Sequence, residues 1–172
     1  MISIKKIEHI ICAYSEEGDS QNSNCKRLIE QAVKKTLQSE AVDTLCVVGV
    51  LMTDDETIRD YNLEYRTVNE PTDILSFPMQ SFARPGWVGL KDKEFDESTG
   101  ELPLGDIVIS IETVKRQATE FENTIEYETA YLIVHSTLHL LGYYHDNEKN
   151  EKIMHEKTKA VMREMGFILN DK

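Results

Sequence analysis

Cysteine is scarce in this sequence, and its placement excludes the class of small disulfide-rich domains. The 172 residues include three cysteines, Cys12, Cys25 and Cys46, with no CxxC pair. An odd number of cysteines at wide spacing is typical of free thiols in a reducing compartment. We therefore expect a cytoplasmic protein whose core forms without disulfide bonds.

Long apolar runs are also lacking, which argues against membrane association. No stretch approaches the roughly 20 apolar residues that a membrane-spanning helix requires. Near the N-terminus, Glu8 and His9 interrupt a short apolar stretch, and no small-residue cleavage site of a signal peptide follows. We expect no membrane partner and a soluble globular protein.

Positive charge is in deficit as well, with 19 Lys and Arg against 31 Asp and Glu and a net charge of −12. Proteins that bind nucleic acid usually present a basic surface, so charge alone disfavours such a partner. A divalent metal ion on neutral ligands, helped by one or two arginines, would still create a positive site on an acidic protein.

Hydrophobic patterning predicts a mixed α and β fold. Short apolar runs and alternations predict strands, and apolar positions three and four residues apart predict helices. The predicted strands are 2–7, 44–52, 74–78 and 106–110, and the predicted helices are 25–39, 53–65, 110–121, 124–141 and 148–165. Helix starts are expected at Ser23 or Asn24 and at Thr53, which forms a capping-box pattern with Glu56.

A long loop is expected between residues 79 and 103, with a charged run at 91–97. Loops of this length in compact domains are often functional. The chain has no internal repeat, low-complexity tract or linker, so we expect a single domain over residues 1–172. Because such a chain buries roughly 70% of its unfolded surface, a metal site in it should be functional rather than structural.

Three of the five histidines fall in one short window. His135 and His139 are four residues apart on the predicted helix, so both rings project from one face. Gly142 lets the chain leave the helix and turn back, and His145 follows in the loop. Three neutral imidazoles with an open fourth position are typical of a catalytic metal site. An isolated histidine is usually a core or surface residue, but here spacing and helix phase favour a metal.

The same window argues against a zinc peptidase. Its histidine spacing matches that of metzincin proteases, but Ser136 occupies the position of the general-base glutamate. The expected reaction is therefore attack by a metal-activated water with another base, or without one. His9 and His155 lack comparable partners and are expected to be ordinary polar or core residues.

Three segments together resemble the YbeY family of bacterial metal-dependent endoribonucleases. They are NLEYRTVNEPTDILSFP at 62–78, LGDIVIS at 104–110 and HSTLHLLGYYHD at 135–146. The resemblance implies a zincin-like α/β (α+β) fold, in which a small mixed sheet packs against helices. It also implies cleavage of single-stranded RNA in ribosomal RNA maturation and ribosome quality control, with the small ribosomal subunit as a partner and no DNA substrate.

The resemblance assigns a metal, commonly zinc (Zn²⁺), to His135, His139 and His145, and the family's functional arginine to Arg66. Histidine spacing by itself does not choose between zinc and other divalent ions. Arg66 ends a predicted helix, from which a guanidinium can reach a scissile phosphate. A cation favoured by the helix dipole at that position is the alternative explanation.

The resemblance also raises Asn62 and Asp73 as substrate-binding candidates. From the residues alone, Asn62 is a surface position and Asp73 a cap or turn residue. Thr72 and Ser76 are weaker candidates still.

Two positions depart from the family pattern. Ser136 stands where the family typically has glycine, and Tyr144 where it typically has aspartate. Loss of a carboxylate beside a metal can leave a ligand unoriented. We consider Asp146 as a substitute for it.

The leading hypothesis is a metal-dependent endoribonuclease. A metallohydrolase or peptidase acting on another substrate is the second hypothesis. The third is a non-catalytic ribosome-assembly factor in which the metal only stabilises the helix and turn.

Overall fold

The computed structural model describes residues 8–15, 23–89 and 91–168. Within these residues the chain forms an α+β structure of four strands and five helices. In chain order they are β1 (Ile10–Ser15), α1 (Ser23–Ser39), β2 (Cys46–Thr53), α2 (Asp55–Arg66), β3 (Ile74–Pro78), β4 (Leu102–Ser110), α3 (Ile111–Glu120), α4 (Ile125–Leu140) and α5 (Glu148–Glu164).

The four strands form one mixed sheet in the order β1-β2-β4-β3. Strands β1, β2 and β4 run parallel to one another, and β3 pairs antiparallel with β4. This order leaves β3 at an edge of the described sheet, beside the helix that carries two of the three clustered histidines. The mixed sheet packed against helices agrees with the predicted fold class, while the zincin-like comparison stays a prediction.

The main core lies between one face of the sheet and helices α1, α4 and α5. Along β2, alternate residues such as Cys46, Val48 and Val50 are buried in this core. Helix α4 is apolar on nearly all sides and packs between α1, α5 and the sheet. A helix that is hydrophobic all round requires burial, which explains its central position.

Helix α2 covers part of the opposite face of the sheet. Ile58 from α2 packs against Leu75 of β3 and Val108 of β4 in a second, smaller core cluster. Side chains alternate along a strand, so Ile74 and Ser76, which flank Leu75, face the other side of the sheet, toward α4. Strand β3 therefore contributes one face to the packing of α2 and the other to a cleft beside α4.

Several predicted boundaries are correct and others shift for local reasons. Strand β3 has the predicted bounds. The strand predicted at 2–7 lies outside the described residues, and β1 forms at Ile10–Ser15. Helix α1 spans Ser23–Ser39, so both predicted cap residues, Ser23 and Asn24, lie within the helix. Strand β4 begins four residues earlier than expected because Leu102 and Pro103 pair with Cys46 and Val47 of β2.

The N-cap of α2 was predicted at Thr53 but lies at Asp54. The Asp54 carboxylate accepts a hydrogen bond from the Thr57 backbone N–H at 2.8 Å, and Thr53 ends β2. The capping residues of α3 and α4 are Ser110 and Thr124, one residue before each helix. In each case a side-chain oxygen satisfies a backbone donor of the first turn.

The long loop between β3 and β4 is tied to the sheet by the buried side chain of Gln80. Its Nε2 donates to the carbonyls of Glu94 and Pro103, and its Oε1 accepts from the Glu94 N–H. These bonds give the loop a defined path along the end of β4. Within the described residues no helix combines the length and the apolar character needed to cross a membrane.

Candidate metal centre and adjoining cleft

Helix α4 positions the first two histidines on consecutive turns. His135 and His139 lie on the same side of the helix, with ring centroids 4.8 Å apart. Thr124 caps the helix by accepting from the Tyr127 N–H at 3.1 Å. The remainder of α4 is fixed in the main core, so the backbone that carries both rings is rigidly held.

A hydrogen-bonded turn at the end of α4 brings in the third histidine. Gly142 has φ +81°, its N–H donates to the His139 carbonyl at 3.0 Å, and the Tyr143 N–H donates to the Leu138 carbonyl at 3.1 Å. This pair of bonds is the Schellman motif, which favours glycine at the left-handed position. The chain reverses there and places the His145 ring 5.1 Å from the ring of His139.

Burial keeps the helical histidines neutral. It lowers the pKa of His135 to about 4, with further lowering by the neighbouring rings of His139 and His145. Burial also lowers the pKa of His139. Neutral imidazole is the form that binds a metal ion, so both residues are ready to act as ligands at pH 7.

A hydrogen bond determines which nitrogen of His139 is available. Its Nδ1 lies 2.7 Å from the Tyr143 carbonyl oxygen. Because a carbonyl only accepts, the proton must be on Nδ1, and Nε2 keeps its lone pair. Donation from the second ring nitrogen to a carbonyl is the usual way in which a metal-binding histidine is oriented.

The trio fits a divalent metal ion. One ligand atom from each of His135, His139 and His145 lies within 4.8 Å of the others. Small ring movements would bring all three to the roughly 2.1 Å at which nitrogen binds zinc. In addition, His135 Nδ1 and Ser136 Oγ are buried without a hydrogen-bond partner among the described residues, so protein groups do not fully satisfy the polar atoms here.

A cleft of about 600 Å³ adjoins the histidines. Its walls come from the end of α2, strand β3, helix α4 and the loop after it. The lining residues include Arg66, Asp73, His135, His139, Tyr144 and His145. Thr72 and Ser76, the weaker candidates from the sequence, line it as well.

The structure places Arg66 and Asp73 beside the histidines. Arg66 is exposed at the C-terminus of α2, where Thr67 adopts a left-handed conformation and ends the helix. The charge of Arg66 lowers the pKa of His139, and the charge of Asp73 raises the pKa of His135. Each of these effects is smaller than that of burial. A cation and an anion therefore border the histidines within one cleft.

Asn62 and Asp73 hold the segment between α2 and β3 in place. Asn62 is buried, does not line the cleft, and donates from Nδ2 to the Glu70 carbonyl at 2.8 Å. The Asp73 carboxylate accepts from the Ile74 N–H at 2.7 Å and from the Gln117 side chain at 3.0 Å. These bonds favour a positioning role for Asn62, while Asp73 both positions β3 and faces the cleft.

The two departures from the family pattern differ in environment. Ser136 is fully buried, whereas Tyr144 has 54% of its surface exposed and lines the cleft. Asp146 does not replace a lost metal-orienting carboxylate. Its Oδ1 accepts from the side chains of Asn147 and Asn150, and no bond joins it to a histidine among the described residues.

Sequence reasoning missed two contacts of the histidines. The Tyr143 carbonyl orients His139, and a backbone acceptor of this kind has no sequence signature. Tyr131 stacks on His135 with centroids 6.2 Å apart and planes 13° apart. Its position four residues before His135 on a helix was a usable signal.

The other two histidines are not part of this centre. His9 is buried, and its Nδ1 accepts from the Cys46 backbone N–H at 3.4 Å, as expected for a satisfied core residue. His155 is exposed on α5.

A family model and curated proteins that are similar to this chain share one description. The family model described as endoribonuclease YbeY matches residues 11–166. An endoribonuclease YbeY from Caldanaerobacter subterraneus subsp. tengcongensis is 43% identical over 145 residues, which cover 84% of this chain and 90% of that protein. One from Caldicellulosiruptor bescii is 40% identical over 155 residues, which cover 86% and 96%.

A solved structure is similar over nearly the same extent. The solution structure of TM1509 from Thermotoga maritima superposes with a TM-score of 0.57 at 26% identity, covering 91% of this chain and 92% of that one. The family model spans both the sheet and the histidine centre, and the relatives align over most of their own length. The chain therefore belongs to the YbeY family, whose model is described as endoribonuclease YbeY.

Proposed function

We propose that this protein is a metal-dependent endoribonuclease that cleaves single-stranded RNA. The observation that carries the proposal is the set of three histidines opening into a cleft that also holds Arg66. Neutral ligands leave the charge of a divalent ion uncompensated, and a guanidinium adds to it. An acidic protein thereby acquires a local site for a phosphodiester anion.

We propose zinc as the ion, held by His135, His139 and His145. Three imidazole nitrogens with an open position are a common catalytic zinc set. When bound, such an ion acidifies a coordinated water, which supplies the nucleophile for phosphodiester hydrolysis. The oriented Nδ1–H of His139 and the low pKa of His135 support this ligand set.

The other candidate residues contribute to substrate binding either directly or by holding the walls of the cleft in place. Arg66 contacts the scissile phosphate through its guanidinium and stabilises the charge that develops there. Asp73 favours a cation beside His135 and fixes the start of β3. Asn62 contributes to substrate binding indirectly, because it holds the segment that follows Arg66.

The biological setting we propose is ribosomal RNA maturation on the small ribosomal subunit, in the cytoplasm. Membership of the YbeY family supports an RNA substrate. The three cysteines, Cys12, Cys25 and Cys46, are all free, which supports a reducing compartment.

A peptidase is disfavoured by the cleft itself. Ser136, at the position where a zinc peptidase carries its general-base glutamate, is buried and unable to serve as that base. Asp73 is the one carboxylate among the described residues that line the cleft, and three donors already bind it. A purely structural metal is disfavoured by the large hydrophobic core, because none of the three histidines belongs to it.

The test is cleavage of a labelled single-stranded RNA by the purified protein, beside His139→Ala prepared identically to exclude contaminating nuclease. We expect cleavage by the wild type, loss of cleavage on chelation, recovery when zinc is added back, and none by the variant. Cleavage that survives both chelation and His139→Ala would contradict the proposal. Casein as a second substrate tests the peptidase alternative.

A further inference from the structure

Tyr144 lies between the metal cleft and a second cavity. Its ring lines the cleft 6.0 Å from the ring of His139, and it also lines an adjoining groove of about 310 Å³. The loop after β3 contributes Arg84 to this groove, and α5 contributes Lys149 and Lys157. We refer to the cavity lined by these four residues as the basic groove.

The basic groove concentrates positive charge on an acidic chain. Three cations line it, although the whole chain carries a net charge of −12. Lys157 is bound to the buried carboxylate of Glu40 at 2.6 Å. Arg84 and Lys149 are exposed and form no ion pair within the described part of the chain, so both remain available to an anion.

Glu40 offsets the charge of Lys157 and leaves Arg84 and Lys149 without an ion-pair partner among the described residues. Glu40 accepts from both Lys157 and the Tyr143 hydroxyl, which fixes it below the groove. Asp146, the acidic residue that follows His145, is not among the residues that line the groove, and its Oδ1 accepts from the Asn150 side chain at 2.7 Å.

The loop that carries Arg84 is anchored to the metal centre. The Gly86 N–H donates to the carbonyl of Leu141 at 3.0 Å, in the turn that ends α4. Next in the chain, the Trp87 indole N–H donates to Asp43 at 2.7 Å. Gly86 has φ +90°, and a Cβ there would lie 2.6 Å from the Tyr143 hydroxyl, so the loop approaches the turn closely. Arg84 is therefore held beside the turn rather than on a free loop.

We propose that the basic groove binds the RNA strand next to the nucleotide in the metal cleft. In this subsite the exposed Tyr144 ring stacks on a base, and Arg84 and Lys149 bind backbone phosphates. The inference rests on the proposed endoribonuclease function. Two features of the molecule identify the occupant as single-stranded RNA. The groove and the metal cleft share Tyr144 as a lining residue, and an aromatic ring beside unpaired cations matches unstacked bases on a polyanion.

The test compares substrate binding in two variants of equal net charge. Arg84→Glu with Lys149→Glu reverses the groove, and Arg27→Glu with Lys115→Glu is the matched control. Arg27 and Lys115 are exposed on α1 and α3. Arg27 lies thirteen residues before Glu40, or about 20 Å along the helix from the groove.

The measurements are the Kd of a labelled 12-nucleotide RNA at several salt concentrations and the kcat and KM of its cleavage. For the groove variant we expect Kd and KM to rise about tenfold at constant kcat and metal content. The slope of log Kd against log salt should fall by about 1.4, since each phosphate contact contributes roughly 0.7 for a single strand. The control should match the wild type.

Tyr144 is tested by substitution with phenylalanine and with alanine. Tyr144→Phe keeps a stacking ring and should bind RNA like the wild type. Tyr144→Ala should raise Kd about tenfold, the scale of one lost base-stacking contact, without changing the salt slope. A Tyr144→Ala variant that binds as tightly as Tyr144→Phe would overturn the stacking role.

The outcomes separate this inference from the proposed function. If the wild type cleaves RNA but the groove and control variants have equal Kd and KM, the subsite is wrong and the endoribonuclease proposal stands. If the wild type neither binds nor cleaves RNA with metal bound, both proposals fail. A groove variant impaired only in kcat would also overturn the subsite, because that result indicates damage to the metal centre.

Discussion

At the scale of single residues, protonation state is set by local contacts. The Tyr143 carbonyl holds the proton of His139 on Nδ1, and burial keeps His135 neutral by lowering its pKa to about 4. Both effects act before any metal binds, so little rearrangement is needed when it does. Preorganisation of this kind increases affinity because less conformational freedom is lost on binding.

Substitution of Arg66 should lower the catalytic rate and leave metal binding unchanged. Arg66→Ala should reduce kcat for single-stranded RNA by about 100- to 1,000-fold, the usual cost of removing one charge-stabilising donor. Metal content measured by elemental analysis should stay at the wild-type value, because the three ligands are elsewhere. Arg66→Lys should recover part of the rate, since lysine keeps the charge but not the bidentate geometry.

Arg59 offers the matched control on the same helix. Its guanidinium lies 3.1 Å from Asp60 and 4.0 Å from Glu56 on the outer surface of α2. Arg59→Ala should leave kcat unchanged. Equal rates for Arg66→Ala and the wild type, with metal bound in both, would show that Arg66 does not contact the phosphate.

At the scale of elements, the turn after α4 connects backbone geometry to the metal centre. The same few residues end the helix, orient His139 through the Tyr143 carbonyl, and place His145 opposite the helix. Gly142 is required there because its φ is +81° and a Cβ would lie 2.8 Å from Cβ of Phe82. A change in this turn should therefore affect both stability and metal binding.

Gly142→Ala tests this connection. We expect a loss of about 2 to 4 kcal/mol in the free energy of unfolding, from the left-handed backbone and the contact with Phe82. Metal affinity should fall as well. Gly166→Ala is the control, since Gly166 also has a left-handed φ of +88° but has no atom within 4 Å of an added Cβ.

The control should lose only about 1 to 2 kcal/mol and keep its metal affinity. Denaturant unfolding of the chelated proteins and metal titration at 25 °C provide the two readouts. Wild-type metal affinity in Gly142→Ala would show that the turn does not position the ligands.

At the scale of the whole molecule, the main core is large and includes none of the three histidines. Buried residues from the sheet and from α1, α4 and α5 form one continuous cluster. The chelated protein should therefore remain folded at 25 °C by circular dichroism. A free metal concentration of 100 times the Kd stabilises the folded protein by roughly 2.7 kcal/mol. The chelated protein should therefore have a Tm about 5 to 10 °C below that of the protein with metal.

His139→Ala should show no such difference between metal and chelator. Unfolding of the wild type on chelation would instead assign the metal a structural role, as in the assembly-factor hypothesis.

His9 gives the fold a dependence on pH. Its pKa is lowered, first by burial and then by Lys34, and its Nδ1 must be unprotonated to accept from the Cys46 N–H. As pH falls below about 6.5, the unfolded state binds this proton more readily than the folded state. The contribution of neutral His9 to the free energy of unfolding is therefore present above that pH and is lost as the pH falls. The loss is less than about 1.4 kcal/mol per pH unit, which is the limit for one proton.

Urea unfolding of chelated protein between pH 7.5 and 5 checks this expectation. His9→Gln should be less stable at pH 7.5 and should show a shallower slope. An unchanged slope in His9→Gln would assign the acid sensitivity to other groups.

Much of the fold was predictable because local patterns agreed with tertiary packing. Strand β3 and helices α3 to α5 matched their predicted ranges to within one residue at each end, and the Gly142 stop was correct. The boundary error at Thr53 arose because the adjacent residues Thr53 and Asp54 can each act as a cap. Sequence does not decide between them.

Helix periodicity and a glycine stop bring three histidines together whatever surrounds them, so the amino-acid pattern alone predicts the metal-ligand set. What those histidines face depends on long-range packing. Arg66 and Asp73 reach the cleft because β3 lies at the sheet edge beside α4, and Arg84 reaches Tyr144 because its loop binds the turn after α4. These contacts join residues far apart in the chain, and no local pattern encodes such distances.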